Sequence, residues 1–185
     1  MGLGVVSRTF NFNNQADQLY LLTVEIIDHV VNCTSVNEHV LFKLKIVLVE
    51  LLTNSLKHSG DSETNIEVTL FNDKITITKI DAGTSLTITN GDVHLRWPLS
   101  AKHINNIIPI YGDITCTLKV RILTVDKAVF FIEENDLIYS DTELIENLPE
   151  HFGLLIIARA CDLFEYEFDA ENNINHFTAT LLLKD

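Results

Sequence analysis

Four polar side chains fall at helical spacing within an otherwise apolar run. At about 100° per residue, Lys43, Glu50, Asn54 and Lys57 form one narrow stripe with His58 just beside it, while Leu41, Leu48 and Leu52 lie opposite. A carboxylate, an amide, ammonium groups and an imidazole stacked in this way either face water, with ordinary pairing along the helix, or converge on a ligand. What the rest of the chain builds around them decides between the two.

The helix that carries the stripe is predicted from about Glu38 to Ser59, with Gly60 as a plausible terminator. Before it, "VVSRTFNF" alternates as a first strand, and Gln15 to Val31 has Leu19, Leu22, Ile26 and Val30 on one side of an amphipathic helix. After it, "TNIEVTLF" and "KITITKID" alternate with period two around Asn72-Asp73, the pattern of a β-hairpin. The middle of the chain is less regular. Asn90-Gly91-Asp92 marks a turn, Pro98 interrupts regularity, and "TCTLKVRILTVDKAVFFIEEND" reads as a hairpin turning at Val125-Asp126-Lys127. A short acidic piece, "DTELIENLPEH", precedes "FGLLIIARACDLF", which is apolar nearly all round and predicts a buried helix. "EYEFDAENNINHFTATLLL" closes as two strands joined by "DAENN". The order predicts an α+β chain with helices laid on one face of a mixed sheet.

Composition narrows the function classes. The 185 residues fit one domain, and 46% hydrophobic content is ample for a core. Thirteen Lys plus Arg against 26 Asp plus Glu give a formal net charge of -13, the wrong sign for neutralising a phosphate backbone, so no nucleic-acid partner is expected. Cys33, Cys116 and Cys161 are scattered without metal-binding spacing, which fits reduced thiols in a cytoplasmic protein. "MGLGVVSRTF" lacks the flanks of a signal peptide and has Val6 where myristoylation takes Ser or Thr. No apolar run approaches the roughly 20 residues of a membrane span. No membrane association is expected.

The stripe "ELLTNSLKHS" resembles the N-box of the GHKL superfamily of ATPases and kinases, which has a glutamate, an asparagine four residues on, then a Lys/Arg-His pair. Glu50, Asn54, Lys57 and His58 meet it. "KIDAGTS" resembles that family's Asp-x-Gly-x-Gly turn through Asp81 and Gly83, directly after "ITIT". "HFGLLIIARACDLFEYEF" resembles its Gly-x-Gly-Leu box through Gly153 and Leu154, most closely in the anti-sigma-factor serine kinases. The three matches follow the family's order and cover about two thirds of the chain.

The resemblance implies a single domain over residues 1–185 with a two-layer α/β sandwich of the Bergerat ATP-binding type. Its sheet would be mixed and mostly antiparallel, with helices on one face and a β-rich insert at about residues 84–150. It also implies ATP and Mg²⁺ as cofactors. Asn54 would offer its amide oxygen to the metal, and Glu50 would orient or deprotonate the nucleophile. Lys57 and His58 would offset phosphate charge, Asp81 would receive the adenine amino group, and Gly83, Gly153 and Leu154 would line the nucleotide. The implied activity is an ATPase or a serine protein kinase regulating a partner protein, with a homodimer in prospect.

Two positions depart from the family pattern. Ser85 stands at the second glycine of the Asp-x-Gly-x-Gly turn, and His151 at the first glycine of the Gly-x-Gly-Leu box, where a Cβ can crowd phosphates or alter a turn. Together with the long insert they support an alternative, a non-catalytic module that keeps the fold and acts by protein–protein interaction.

Overall fold

The computed structural model describes residues 5–58, 63–90, 93–112, 115–134 and 152–183. Gly60, the tip of the Asn90-Gly91-Asp92 turn, the acidic stretch 141–151 and His151 itself lie outside the described residues.

The chain runs β1 (Val6–Phe12), α1 (Ala16–Cys33), α2 (Glu38–His58), β2 (Thr64–Leu70), β3 (Lys74–Asp81), β4 (Thr87–Asn90) and β5 (Val93–Arg96). It continues through β6 (Ile107–Gly112), β7 (Cys116–Ile122), β8 (Lys127–Glu134), α3 (Phe152–Ala160), β9 (Leu163–Asp169) and β10 (Ile174–Leu182). Strands β4 and β5 pair with each other, and the other eight form one sheet in the order β1-β2-β3-β10-β9-β8-β7-β6. Every pairing within that sheet is antiparallel. The mixed sheet that was expected is therefore corrected: no parallel pair occurs among the described residues. Each neighbour in the order returns along its partner, so parallel crossovers are not needed.

Local chemistry sets the elements. Asn37 caps α2 by accepting the Val40 N–H on its side-chain oxygen at 2.8 Å, which satisfies one of the amides a helix start leaves open. In α1, Leu22, Ile26 and Val30 are buried and Leu19 packs against the core, as the helical spacing predicts. Alternation in β2 and β3 is nearly unbroken, with Ile66, Val68, Ile75 and Ile77 buried on one face and the intervening residues half-exposed. The register carries that face across the sheet through Ala179, Phe164, Phe130 and Val120. Helix α1 contacts β1 and β2, α2 contacts β3 and β10, and α3 contacts β8 and β9.

Two other expectations are adjusted. The helix predicted from "FGLLIIARACDLF" ends at Ala160, and Leu163 and Phe164 begin β9, where Phe164 stacks on Phe130 with centroids 4.9 Å apart. The segment 107–112, to which the sequence pattern assigns no element, is β6, with a register shift between Pro109 and Tyr111. The described part of the expected insert thus extends the main sheet beyond β9 and adds the β4–β5 pair.

Candidate functional site

Helix α2 lies against both α1 and α3, so its buried side is broad: Val40, Leu44, Val47, Leu48, Leu51, Leu52 and Ser55 are all covered. The polar stripe runs along the edge of that side rather than away from it. Glu50 and Asn54 are half-buried, whereas Lys57 and His58 at the end of the helix are exposed. Lys43, on the same stripe but outside the family motif, is half-buried.

The first turn of α3 meets this edge. A methyl group in place of the Gly153 hydrogen would sit 3.0 Å from Glu50 Oε2 and 3.3 Å from Asn54 Oδ1. Two helices distant in sequence therefore bring a carboxylate, an amide and a bare backbone together, an approach that a Cβ at residue 153 would crowd. Burial raises the Glu50 carboxyl above its ordinary value, and Lys57 pulls it partly back.

Beside this contact opens a cavity of about 430 Å³, within the range of roughly 300–1,000 Å³ that small-molecule sites occupy. Asn54, Lys57, His58 and Leu154 line it from the helices, and Asp81 lines it from the sheet. Glu50 is not among its lining residues and lies one turn back, against Gly153. Gly83 is held to the same place through Asp81. The residues singled out in sequence thus gather at one cavity and its rim.

The far wall holds residues that the motifs did not name. Lys79 precedes Asp81 by one pleat, so both face the helices, with Nζ 2.6 Å from Asp81 Oδ2 and side chains only 4% and 3% exposed. Asp81 Oδ1 accepts the Gly83 N–H at 2.9 Å and Asn175 Nδ2 at 3.1 Å. Asn175 stands opposite Asp81 in the β3–β10 register and also donates to the Gly83 carbonyl at 3.1 Å. Tyr166 on β9 donates its hydroxyl to Asn175 Oδ1 at 2.7 Å and accepts the Leu86 N–H at 3.0 Å. The turn after β3 is therefore tied to the sheet by side chains from two other strands. Burial would raise the Asp81 carboxyl, but Lys79, Gly83 and Asn175 outweigh it and hold the group below its ordinary value. Burial likewise pulls the Lys79 ammonium down by more than Asp81 restores.

Lys79 was legible in the sequence, because Ile75, Ile77 and Asp81 share its parity on the strand. Asn175 was not, since only the long-range strand pairing brings it to Asp81.

Ser85 is buried in the cavity wall, and its hydroxyl accepts Arg96 Nε at 3.4 Å. Among the described residues the non-glycine positions with positive φ are Asn14, Asn105 and Asn173, so Ser85 sits in ordinary backbone and its Cβ is unstrained. The turn has settled into a form that a serine fits.

No cluster of three or more His, Cys, Asp or Glu side chains placed to hold a metal ion occurs among the described residues. Asn54 Oδ1 and the Glu50 carboxylate are hard oxygen donors of the kind Mg²⁺ takes when phosphates and waters complete its shell. Among the described residues, no helix is long and apolar enough to cross a membrane. The three cysteines are free, and burial pushes the Cys161 thiol up to about 12. No protein-family model matches the chain, and no curated protein matches it.

Proposed function

We propose that the cavity is an adenine-nucleotide site and that the chain is a GHKL-like ATP-binding domain, a two-layer sandwich of the Bergerat type. Its activity would be that of a Mg²⁺-dependent ATPase or serine protein kinase regulating a partner protein, as in the anti-sigma-factor kinases. The observation that carries this reading is the convergence of three sequence-distant segments on one cavity. Asn54 and Lys57 come from α2, Leu154 from the start of α3, and Asp81 from the end of β3.

The chemistry is consistent with those positions. Glu50, half-buried and raised in pKa by burial, is a stronger base than an exposed carboxylate and is suited to take a proton from a water or a substrate hydroxyl. Lys57 supplies positive charge and His58 an imidazole at the C-terminal end of α2, and the amides of the first turn of α3 suit an anion. Mg²⁺ bound with the nucleotide would neutralise phosphate charge, and Asn54 is the residue that would hold it through its amide oxygen.

A second reading, a non-catalytic docking module, is favoured by one specific observation. Asp81 already has Lys79, Gly83 and Asn175 as partners, so its turn is closed without a ligand.

Titration of the chain with ATP and ADP, with and without Mg²⁺, separates the two. Micromolar to millimolar binding whose Mg²⁺-dependent part weakens in Asn54→Ala supports the nucleotide site. Absence of binding at millimolar ATP removes it and leaves the docking module.

A further inference from the structure

Lys79 is a cation where an apolar residue would satisfy the strand pattern, and it faces the cavity rather than bulk water. Burying a charged pair costs more than burying an aliphatic pair unless the geometry is used. The acceptor inventory of its partner suggests the use. A carboxylate offers about four lone-pair positions, two on each oxygen. On Asp81, Oδ1 already takes two donors, Gly83 N–H and Asn175 Nδ2, while Oδ2 faces the Lys79 ammonium as an ion pair at 2.6 Å and accepts no hydrogen bond. Oδ2 is thus a buried acceptor with positions left open. Beside it, the Lys79 ammonium carries three donors; the group also lies over the Phe177 ring, 5.0 Å from its centroid, an attraction that uses no hydrogen-bond donor.

We infer that Lys79 is a second reader of the base edge: with the exocyclic amino group on Asp81, as the nucleotide reading has it, Lys79 Nζ donates to the ring nitrogen next to that group. This rests on the nucleotide reading above and adds a specificity-determining residue to it. The pattern sought is one donor beside one acceptor, which adenine presents at its 6-amino group and N1. Guanine presents two donors beside its O6, and the second would face Oδ1, whose two positions Gly83 and Asn175 already fill, a loss that buried polar groups make costly. Leu51, Leu86 and Leu154 supply apolar walls for a planar ring.

The test uses the full chain and 1-deaza-ATP, in which C–H replaces ring N1 and only the proposed acceptor is lost. The unaltered protein is expected to bind 1-deaza-ATP roughly tenfold or more weakly than ATP, the usual cost of a lost hydrogen bond to a charged group. GTP is expected to bind more weakly than ATP. In Lys79→Met the difference between ATP and 1-deaza-ATP should vanish. Equal affinity of the unaltered protein for ATP and 1-deaza-ATP overturns this inference and leaves the nucleotide site standing. So does a Lys79→Met protein that binds ATP more tightly than the parent, which would make Lys79 an obstruction, or one that keeps the discrimination. No binding of either nucleotide overturns both readings. The comparison on the unaltered chain decides even where Lys79→Met fails to fold.

Discussion

Lys79 Nζ and Asp81 Oδ2 lie 2.6 Å apart on adjacent inward pleats of β3, an ion pair almost wholly removed from solvent. Removing one partner strands the other, so Lys79→Met and Asp81→Asn should each cost about 3–5 kcal/mol of unfolding free energy. Replacing both together should cost much less, and urea unfolding of the four proteins of the cycle measures the coupling. The acid limb follows from the sign of the shift. Asp81 has a folded pKa below its unfolded one, so its contribution is complete above the unfolded value and lost as pH falls through the folded one. Asp81→Asn should lack that part of the acid slope.

Glu50 shifts the other way. Its folded pKa is raised by burial, so between the unfolded and folded values the native state holds the extra proton, and stability falls as pH rises through that window. Glu50→Gln should therefore raise the thermal midpoint at neutral pH while abolishing ATP turnover. Because Lys57 holds the Glu50 pKa down, Lys57→Met should move the acid limb of the turnover profile to higher pH. A limb that stays in place would show that Glu50 is not the base.

Gly153→Ala sets helix propensity against crowding. Alanine is favoured over glycine in a helix by roughly 0.5–1 kcal/mol, while its methyl would press on Glu50 Oε2 at 3.0 Å and Asn54 Oδ1 at 3.3 Å. Both are ends of flexible side chains and can yield. The expected outcome is an unfolding midpoint near the parent's with Mg²⁺-dependent nucleotide binding much reduced, checked by denaturation and titration on the same preparation.

Tyr166→Phe removes one hydroxyl from the centre of the far wall. Leu86 N–H loses its acceptor and Asn175 Oδ1 loses a donor, at a cost of about 1–3 kcal/mol for a buried group left unsatisfied. The turn carrying Gly83 and Ser85 should loosen, seen as faster amide exchange at Leu86, while Phe10 and Val68 at the other end of the sheet keep their protection.

What could be read beforehand divides by the range of the interaction. The β2–β3 hairpin and α2 were legible because alternation and helical spacing are local, and Glu50, Asn54, Lys57 and His58 followed from one helix face. The apolar run through Leu163 and Phe164 misled, since periodicity alone does not tell a buried helix from a buried strand. Strand β6 was hidden by Pro109 and the register shift beside it. Asn175 and Tyr166 reach Asp81 and Leu86 only through pairing across roughly half the chain, which no local pattern encodes. Lys79 is visible in the strand's parity, two residues before the Asp81 turn.

Strand β10 lies between β3 and β9 and is the last of the described strands in chain order. Without β10 the described strands form two separate antiparallel leaves, β1-β2-β3 and β6 to β9, each with a bare inner edge. Its pairing covers both edges and brings Asn175 to Asp81. The wall of the cavity and the continuity of the sheet thus depend on the same strand. A nascent chain halted before residue 174 would expose two pairing edges and have no site to offer a ligand.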